Sequence, residues 1–207
     1  MAQKVKLSTI ADALKVSTAT VSLALRDSPL VAETTREKIK EQATLLGYIY
    51  NRRAASLRTS KSGIVGVVVH DIMNPFYAEI LRSIETELDK SRQTFILSNH
   101  YDSVEKQRNF LETLMQLGAD GVIMSPAIGT PASDIKLAED NRLPAVLIAR
   151  SIENAAVPVF RGDDSFGIGL ATNHLISMGH TRIAFVGGTD QTSTGRDRYQ
   201  GYLHAME

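Results

Sequence analysis

Apolar positions in the first twenty-five residues recur at helical spacing. Leu7, Ile10, Ala11 and Leu14 fall at i, i+3, i+4 and i+7, one stripe on a short helix. Lys15-Val16-Ser17 interrupts the pattern, and Ser17 predicts an N-cap whose hydroxyl accepts a backbone N–H of the next helix. That second helix is expected from about Thr18 to Leu25. It turns Val21, Ala24 and Leu25 inward and leaves Thr18, Ala19, Ser22 and Leu23 outward. Two short helices joined by a three-residue turn form a helix-turn-helix pattern. A plain helical hairpin with one polar face fits the same twenty residues. Arg26-Asp27-Ser28-Pro29 clusters turn residues into a loop. A third helix from about Glu33 to Leu46 buries Ile39, Ala43 and Leu46, with Gly47 at the left-handed position beyond its end. The stretch Asn51–Arg58 is short and basic, too short for an isolated helix in water, so it is expected to order only with a partner.

From Ser62-Gly63 onward the pattern changes. Ile64–Val69 is a continuous apolar run of the kind a strand buried on both faces carries. Helix is predicted for Pro75–Ser91, strand for Thr94–Ser98, helix for Val104–Leu117 and strand for Gly121–Met124. Helix Ala132–Asn141, strand Ala145–Ala149 and a short strand Val157–Phe160 follow. Helix Phe166–Met178, strand Ile183–Val186 and the start of one more helix begin a second unit. Strand alternating with helix means a parallel sheet covered on both faces.

Composition narrows the class. An apolar share of 43% in 207 residues suffices for a real core. No run of 18 apolar residues is present, and the N-terminus has no apolar signal-like region, so a cytoplasmic protein without membrane contact is expected. The absence of cysteine rules out disulfides and thiolate chemistry. The zero formal net charge conceals a division: residues up to 62 carry eleven basic and five acidic side chains, and the remainder carries twelve and eighteen. A head of +6 on a body of −6 suits a phosphate-binding module on an acidic carrier. On the outward face of the second helix, Thr and Ser can reach base edges or phosphates, and Ala or Leu can touch a thymine methyl.

Other chemistries find little support. Gly66 is not part of a G-x-G-x-x-G turn, and Gly187-Gly188 lacks a phosphate-binding lysine. His70, His100, His174, His180 and His204 show no H-x-x-x-H spacing, so no metal is expected. Asp163-Asp164 could be a catalytic carboxylate pair, but turn capping after a strand is the simpler role. No cofactor is expected, and an enzyme is the weaker reading.

Val16-Ser17-x-x-Thr20-Val21-Ser22, Val31-x-x-x-Thr35-Arg36, Leu46-Gly47-Tyr48 and Asn51-Arg52 resemble the head of the LacI/GalR family of bacterial transcription regulators. Gly66-Val67-x-Val69, Asn74-Pro75-Phe76-Tyr77, Gly118-x-Asp120-Gly121, Leu143-Pro144, Gly179-His180-x-Arg182-Ile183-Ala184 and Arg198-x-x-Gly201-Tyr202 resemble its body. The resemblance implies an all-α helix-turn-helix head over 1–47, a hinge helix and linker over 48–62, and a periplasmic-binding-protein-like α/β body. The body would comprise a first Rossmann-like lobe over 63–162 and the start of a second at 163–207. With most of the second lobe outside these residues, apolar surface should be left open, and the chain reads as a fragment or a shortened relative. The implied partners are palindromic double-stranded operator DNA, a second copy in a homodimer and a small-molecule effector.

By resemblance Thr18, Ala19, Ser22 and Leu23 face the major groove, and Thr20, Thr35, Tyr48 and Asn51 hold phosphates or the hinge. Ala54 and Leu57 belong to a hinge helix in the minor groove, with Leu57 as an apolar wedge. The effector positions map onto Asp71, Phe76, Tyr77, Ser125, Arg150, Thr194 and Arg198, a set that suits a sugar or a purine-like ligand. The departures from the family pattern are Leu23 where many members have arginine, Lys15 at the turn glycine, Lys6 and Ala32 at the usual caps, Tyr50 before Asn51, and Ala149 at an acidic position. Taken together, a DNA-binding regulator, in the manner of a repressor, is the first reading, and a solute-binding module with a decayed head is the alternative.

Overall fold

The chain divides between residues 55 and 56 into two units, and the computed structural model describes residues 5–49 and 61–207. The first unit holds α1 (Leu7–Leu14), α2 (Thr18–Ala24) and α3 (Glu33–Leu45). Ile10, Ala11, Val21, Ala24, Val31, Ile39 and Ala43 form its core. Leu25 and Leu46, expected inside, lie half-buried at the core's edge. Ser22 departs further from expectation. Its side chain is turned in, 4% exposed, because the seven-residue α2 is gripped by both α1 and α3 and has little free face. Leu23 is likewise half-buried against the core rather than projecting outward.

Three local features of this unit cost stability. Lys6 and Ala32 occupy N-cap positions without a side-chain cap hydrogen bond, which forfeits about 1 kcal/mol each. Lys15 closes α1 in the left-handed region, with φ 53°, where a side chain costs about 1–2 kcal/mol. Gly47, with φ 66°, occupies the corresponding position after α3 without that cost.

The second unit is built on a five-stranded parallel sheet of order β2-β1-β3-β4-β5. Its strands are β1 (Ile64–Val69), β2 (Thr94–Asn99), β3 (Gly121–Met124), β4 (Ala145–Ile148) and β5 (Val159–Phe160). The helices are α4 (Pro75–Lys90), α5 (Val104–Leu117), α6 (Ala132–Asp140), α7 (Asp164–Ser177) and α8 (Ser193–Met206). Alternate residues of β1 serve opposite cores, as the strand period of two requires. Val68 joins Leu111, Leu114 and Ile135 of α5 and α6, while Val67 and Val69 join Tyr77 of α4. Gly66 lies on the Val68 face, where Leu114 fills the space a side chain would need. A Cβ there would stand 2.1 Å from the Leu114 Cδ1.

The stretch 183–186, expected as a strand, is not one. Among the described residues no neighbouring strand offers it a hydrogen-bonding edge. A strand without a partner leaves its own N–H and C=O groups unmet. Tyr202 donates to the Ile183 carbonyl at 2.8 Å instead, and Val186 is 93% exposed. Phe166 and Leu170 of α7 are exposed as well.

Lys15→Gly should stabilise the first unit by about 1 kcal/mol, the relief of strain less the extra freedom of glycine in the unfolded chain. Thermal unfolding of the full chain followed by circular dichroism checks it. Gly66→Ala should destabilise the second unit by about 1–3 kcal/mol through overpacking against Leu114, read as a lower urea midpoint.

Candidate functional site

In the first unit the turn into α2 is fixed by Ser17. Its Oγ accepts the Thr20 N–H at 3.0 Å and lies 2.8 Å from the Thr20 Oγ1, so the Thr20 hydroxyl serves the cap. The Val16 N–H donates to the Ala11 carbonyl at 3.0 Å and closes the preceding turn. Thr18 and Ala19 are thereby held exposed on the opening turn of α2. Thr35 is half-exposed on the first turn of α3, and Tyr48 is half-buried against the core with its N–H on the Ala43 carbonyl. Arg36 donates to the carbonyls of Asp27 and Ser28 and pairs with Glu33, pinning the loop that follows α2. Asn51, Ala54 and Leu57 lie outside the described residues.

In the second unit a hollow of about 350 Å³ opens at the carboxyl ends of the strands, where ligands of open α/β sheets bind. It is lined by His70, Asn74, Phe76 and Tyr77 after β1, Ala149 and Arg150 after β4, Gly162 and Asp164, and Thr194 and Arg198 of α8. Of the seven expected effector residues, Phe76, Tyr77, Arg150, Thr194 and Arg198 are brought together here. Asp71 and Ser125 do not line it. Asp71 shapes the turn before α4, accepting the Met73 N–H at 2.9 Å. Ser125 is fully buried behind the wall, its hydroxyl 2.8 Å from the Tyr77 OH. Asn74 caps α4 through the Phe76 N–H at 3.0 Å, leaving the Phe76 ring half in solvent over the hollow. Asp163 caps α7 through the Phe166 N–H, the structural role expected of it.

Both arginines of the wall are paired. Arg198 Nε donates to the Asp164 Oδ1 at 2.6 Å, and Arg150 donates to the Asp102 Oδ1 at 2.6 Å and to the Pro126 carbonyl at 3.2 Å. The guanidinium groups are thus held in fixed directions, and the wall is close to neutral. Asp102 also accepts the Ile128 N–H at 3.2 Å, and its Oδ2 lies 3.1 Å from the His70 Nδ1. Burial would raise the Asp102 carboxyl. The hydrogen bonds from Arg150 and Ile128 and the charges of Arg150 and His70 outweigh it and hold the group below the usual carboxylate range. His100 beneath is completely buried, with Nε2 2.7 Å from the Ser125 carbonyl and Nδ1 accepting the Asp102 N–H at 2.9 Å. Burial pushes its pKa down despite that carbonyl and the nearby Asp102 charge, so the imidazole is neutral.

His70, His100 and Asp102 bring three ligand-type atoms within 4.8 Å of one another. Both nitrogens of His100 are committed to the protein, however, and Arg150 already neutralises Asp102. The cluster is a hydrogen-bonded support for Arg150 rather than a ligand set for a cation. The sequence did not assign His70, Asn74, Asp102 or Asp164 to this site. The residues just beyond each predicted strand carried the signal for His70 and Asp102, since that is the end at which such sheets bind.

Residues 6–51 match the family of bacterial regulatory proteins of the lacI type, and residues 62–207 match the periplasmic binding proteins and sugar binding domain of the LacI family. The chain belongs to the LacI family. It is 33% identical over 206 residues to the maltose regulon regulatory protein MalI of Escherichia coli (strain K12), covering 99% of this chain and 60% of that protein. To the ribose operon repressor of Halalkalibacterium halodurans it is 32% identical, covering 96% and 58%. The chain therefore spans about three-fifths of the length of these relatives. Among solved structures, the transcriptional regulator CelR–cellobiose complex is 27% identical with a TM-score of 0.61, covering 97% of this chain and 61% of that one. The lac repressor dimer bound to operator and the anti-inducer ONPF shares the fold, with a TM-score of 0.79 at 24% identity, covering 98% and 62%. No helix among the described residues is long and apolar enough to cross a membrane.

Acidification should weaken the second unit in two stages. Because the folded state holds His100 neutral, its contribution is complete above the ordinary histidine value of about 6.5 and is lost as pH falls below it. Asp102, also depressed, contributes above the ordinary carboxylate range and loses that contribution at still lower pH. Urea midpoints of the full chain should be level above about pH 6.5 and decline below it. A midpoint that rose on acidification through that region would contradict a buried neutral imidazole.

Proposed function

We propose that the chain is a DNA-binding transcriptional regulator, acting as a repressor, whose grip on a palindromic operator is controlled by a small-molecule effector. The observation that carries the reading is the opening turn of α2. Its backbone is fixed by the Ser17 cap and its Thr18 and Ala19 side chains are left in solvent, on a chain whose first 62 residues carry a charge of +6. Thr18 and Ala19 read base edges, and Thr35 and Tyr48 position the head on phosphates. Ser22, being buried, is left out of this surface. Residues 1–47 act as the head and 48–62 as hinge and linker, with Asn51, Ala54 and Leu57 in the hinge contact. Residues 63–162 are the first effector lobe and 163–207 the beginning of the second. The regulator works as a homodimer in the cytoplasm and carries out no catalysis.

The effector sits against Phe76, Arg150, Thr194 and Arg198. A half-exposed aromatic ring beside two carboxylate-paired arginines favours a neutral polyhydroxylated ligand such as a sugar, or a flat purine-like one. The effector acts through its differential affinity for two arrangements of the protein.

Fluorescence anisotropy of the full chain against a symmetric duplex selected from a random pool, and against unselected duplex, tests the proposal. Preference for the symmetric duplex is expected, with affinity falling about a thousandfold or more between 50 and 200 mM salt if some six phosphates are contacted. Equal weak binding to every duplex would instead favour a solute-binding module whose head no longer reads DNA.

A further inference from the structure

The strands β1 and β3 lie side by side. Their carboxyl ends deliver His70 and Ser125 to the pocket end of the sheet, and their amino ends meet at Asp120, in the turn between α5 and β3. The Asp120 carboxylate takes three hydrogen bonds from two consecutive residues just before β1. Oδ1 accepts the Ser62 N–H at 2.7 Å and the Ser62 hydroxyl at 3.1 Å, and Oδ2 accepts the Gly63 N–H at 2.9 Å. Its own N–H donates to the Ile64 carbonyl at 2.7 Å. The Ser62 Oγ accepts the Ile64 N–H at 3.1 Å, and the Thr94 N–H donates to the Gly63 carbonyl at 2.9 Å. Gly63 turns there with φ 73°.

These bonds exceed what the sheet requires. The ladder of β1 with β2 begins at Ile64 opposite Thr94, so a strand starting at residue 64 would be held without the carboxylate. The Thr94 N–H holds the Gly63 carbonyl, and Asp120 adds the N–H groups of Gly63 and Ser62, so the fixed backbone reaches one residue further toward the segment that joins body to head. A carboxylate accepting two backbone N–H groups and a hydroxyl is a strong anchor, because each bond is charge-assisted.

We propose that Asp120 is a positioning residue for DNA binding: it clamps Ser62 and Gly63 to the body and fixes the point and direction from which the chain runs to the head. The clamp and the pocket lie at opposite ends of the same two strands. Releasing the N–H groups of Ser62 and Gly63 frees the backbone around Ser62, and that freedom must be removed again when the head docks in register. That entropy amounts to about a tenfold loss of affinity or more. Non-specific binding, which needs no fixed register, is spared. This inference rests on the regulator reading.

The test uses the full chain with Asp120→Asn, which keeps the size of the side chain but faces an amide NH₂ toward a backbone N–H. Trypsin cleavage after Lys61 should become faster with other cleavages unchanged. Affinity for the selected symmetric duplex should fall about tenfold while affinity for unselected duplex at low salt stays within about twofold. Gly63→Ala, which strains the same turn and leaves the carboxylate in place, should give the same pattern more weakly and guards against a folding defect in the first variant. Wild-type cleavage after Lys61 in both variants overturns the clamp. Loss of specific and unspecific binding in equal measure, or a lowered melting temperature with faster cleavage throughout, overturns the positioning role and leaves Asp120 as ordinary support. Should the wild-type chain itself fail to distinguish duplexes, the regulator reading falls, while the cleavage result still decides the clamp.

Discussion

A strand buried on both faces has no room for a polar side chain, and β1 is that strand. Flanked by β2 and β3 and covered by α4 on one face and α5 on the other, it must be apolar at every position from Ile64 to Val69. Chemistry can then appear only where the strand ends. The same constraint acts on β3 and β4, and the polar groups of the body accordingly gather beyond the carboxyl ends: His70, His100, Asp102, Ser125 and Arg150. Leu114 seated over Gly66 shows how closely α5 approaches the sheet to impose this.

The resulting pocket wall is organised by charge pairing in partly buried surroundings. Arg150 and Arg198 are each oriented by one carboxylate, and Asp102 is oriented in turn by a backbone amide and by its place above the neutral His100. A guanidinium that is already directed loses little freedom when it meets a ligand hydroxyl. The cost is that each member depends on the others, so the wall responds as a group rather than residue by residue.

The periodic parts of the chain were legible from sequence, and the long-range polar contacts were not. Helix Val104–Leu117 and strand Gly121–Met124 have the predicted bounds because a strong apolar pattern and Gly118 leave little choice. Residues 183–186 have the same local pattern as a strand, but strand formation depends on a neighbour, which no local pattern encodes. Ser22 was misplaced because α2 is so short that helices on two sides bury most of it. Asp71 and Ser125 are adjacent to the wall, yet one folds back onto its own turn and the other stands behind Tyr77. Asp102 and Asp120 act on partners dozens of residues away, and spacing along the chain carries no trace of such contacts.

The left-handed Lys15 and the two uncapped helix starts have a further consequence. They lower the stability of the first unit, and a unit of that size has little in reserve. For a module that acts by binding, apparent affinity is the intrinsic affinity scaled by the folded share. On the regulator reading proposed above, the turn at Lys15 then bears on how much protein is needed to occupy a site, without altering which sequence is read.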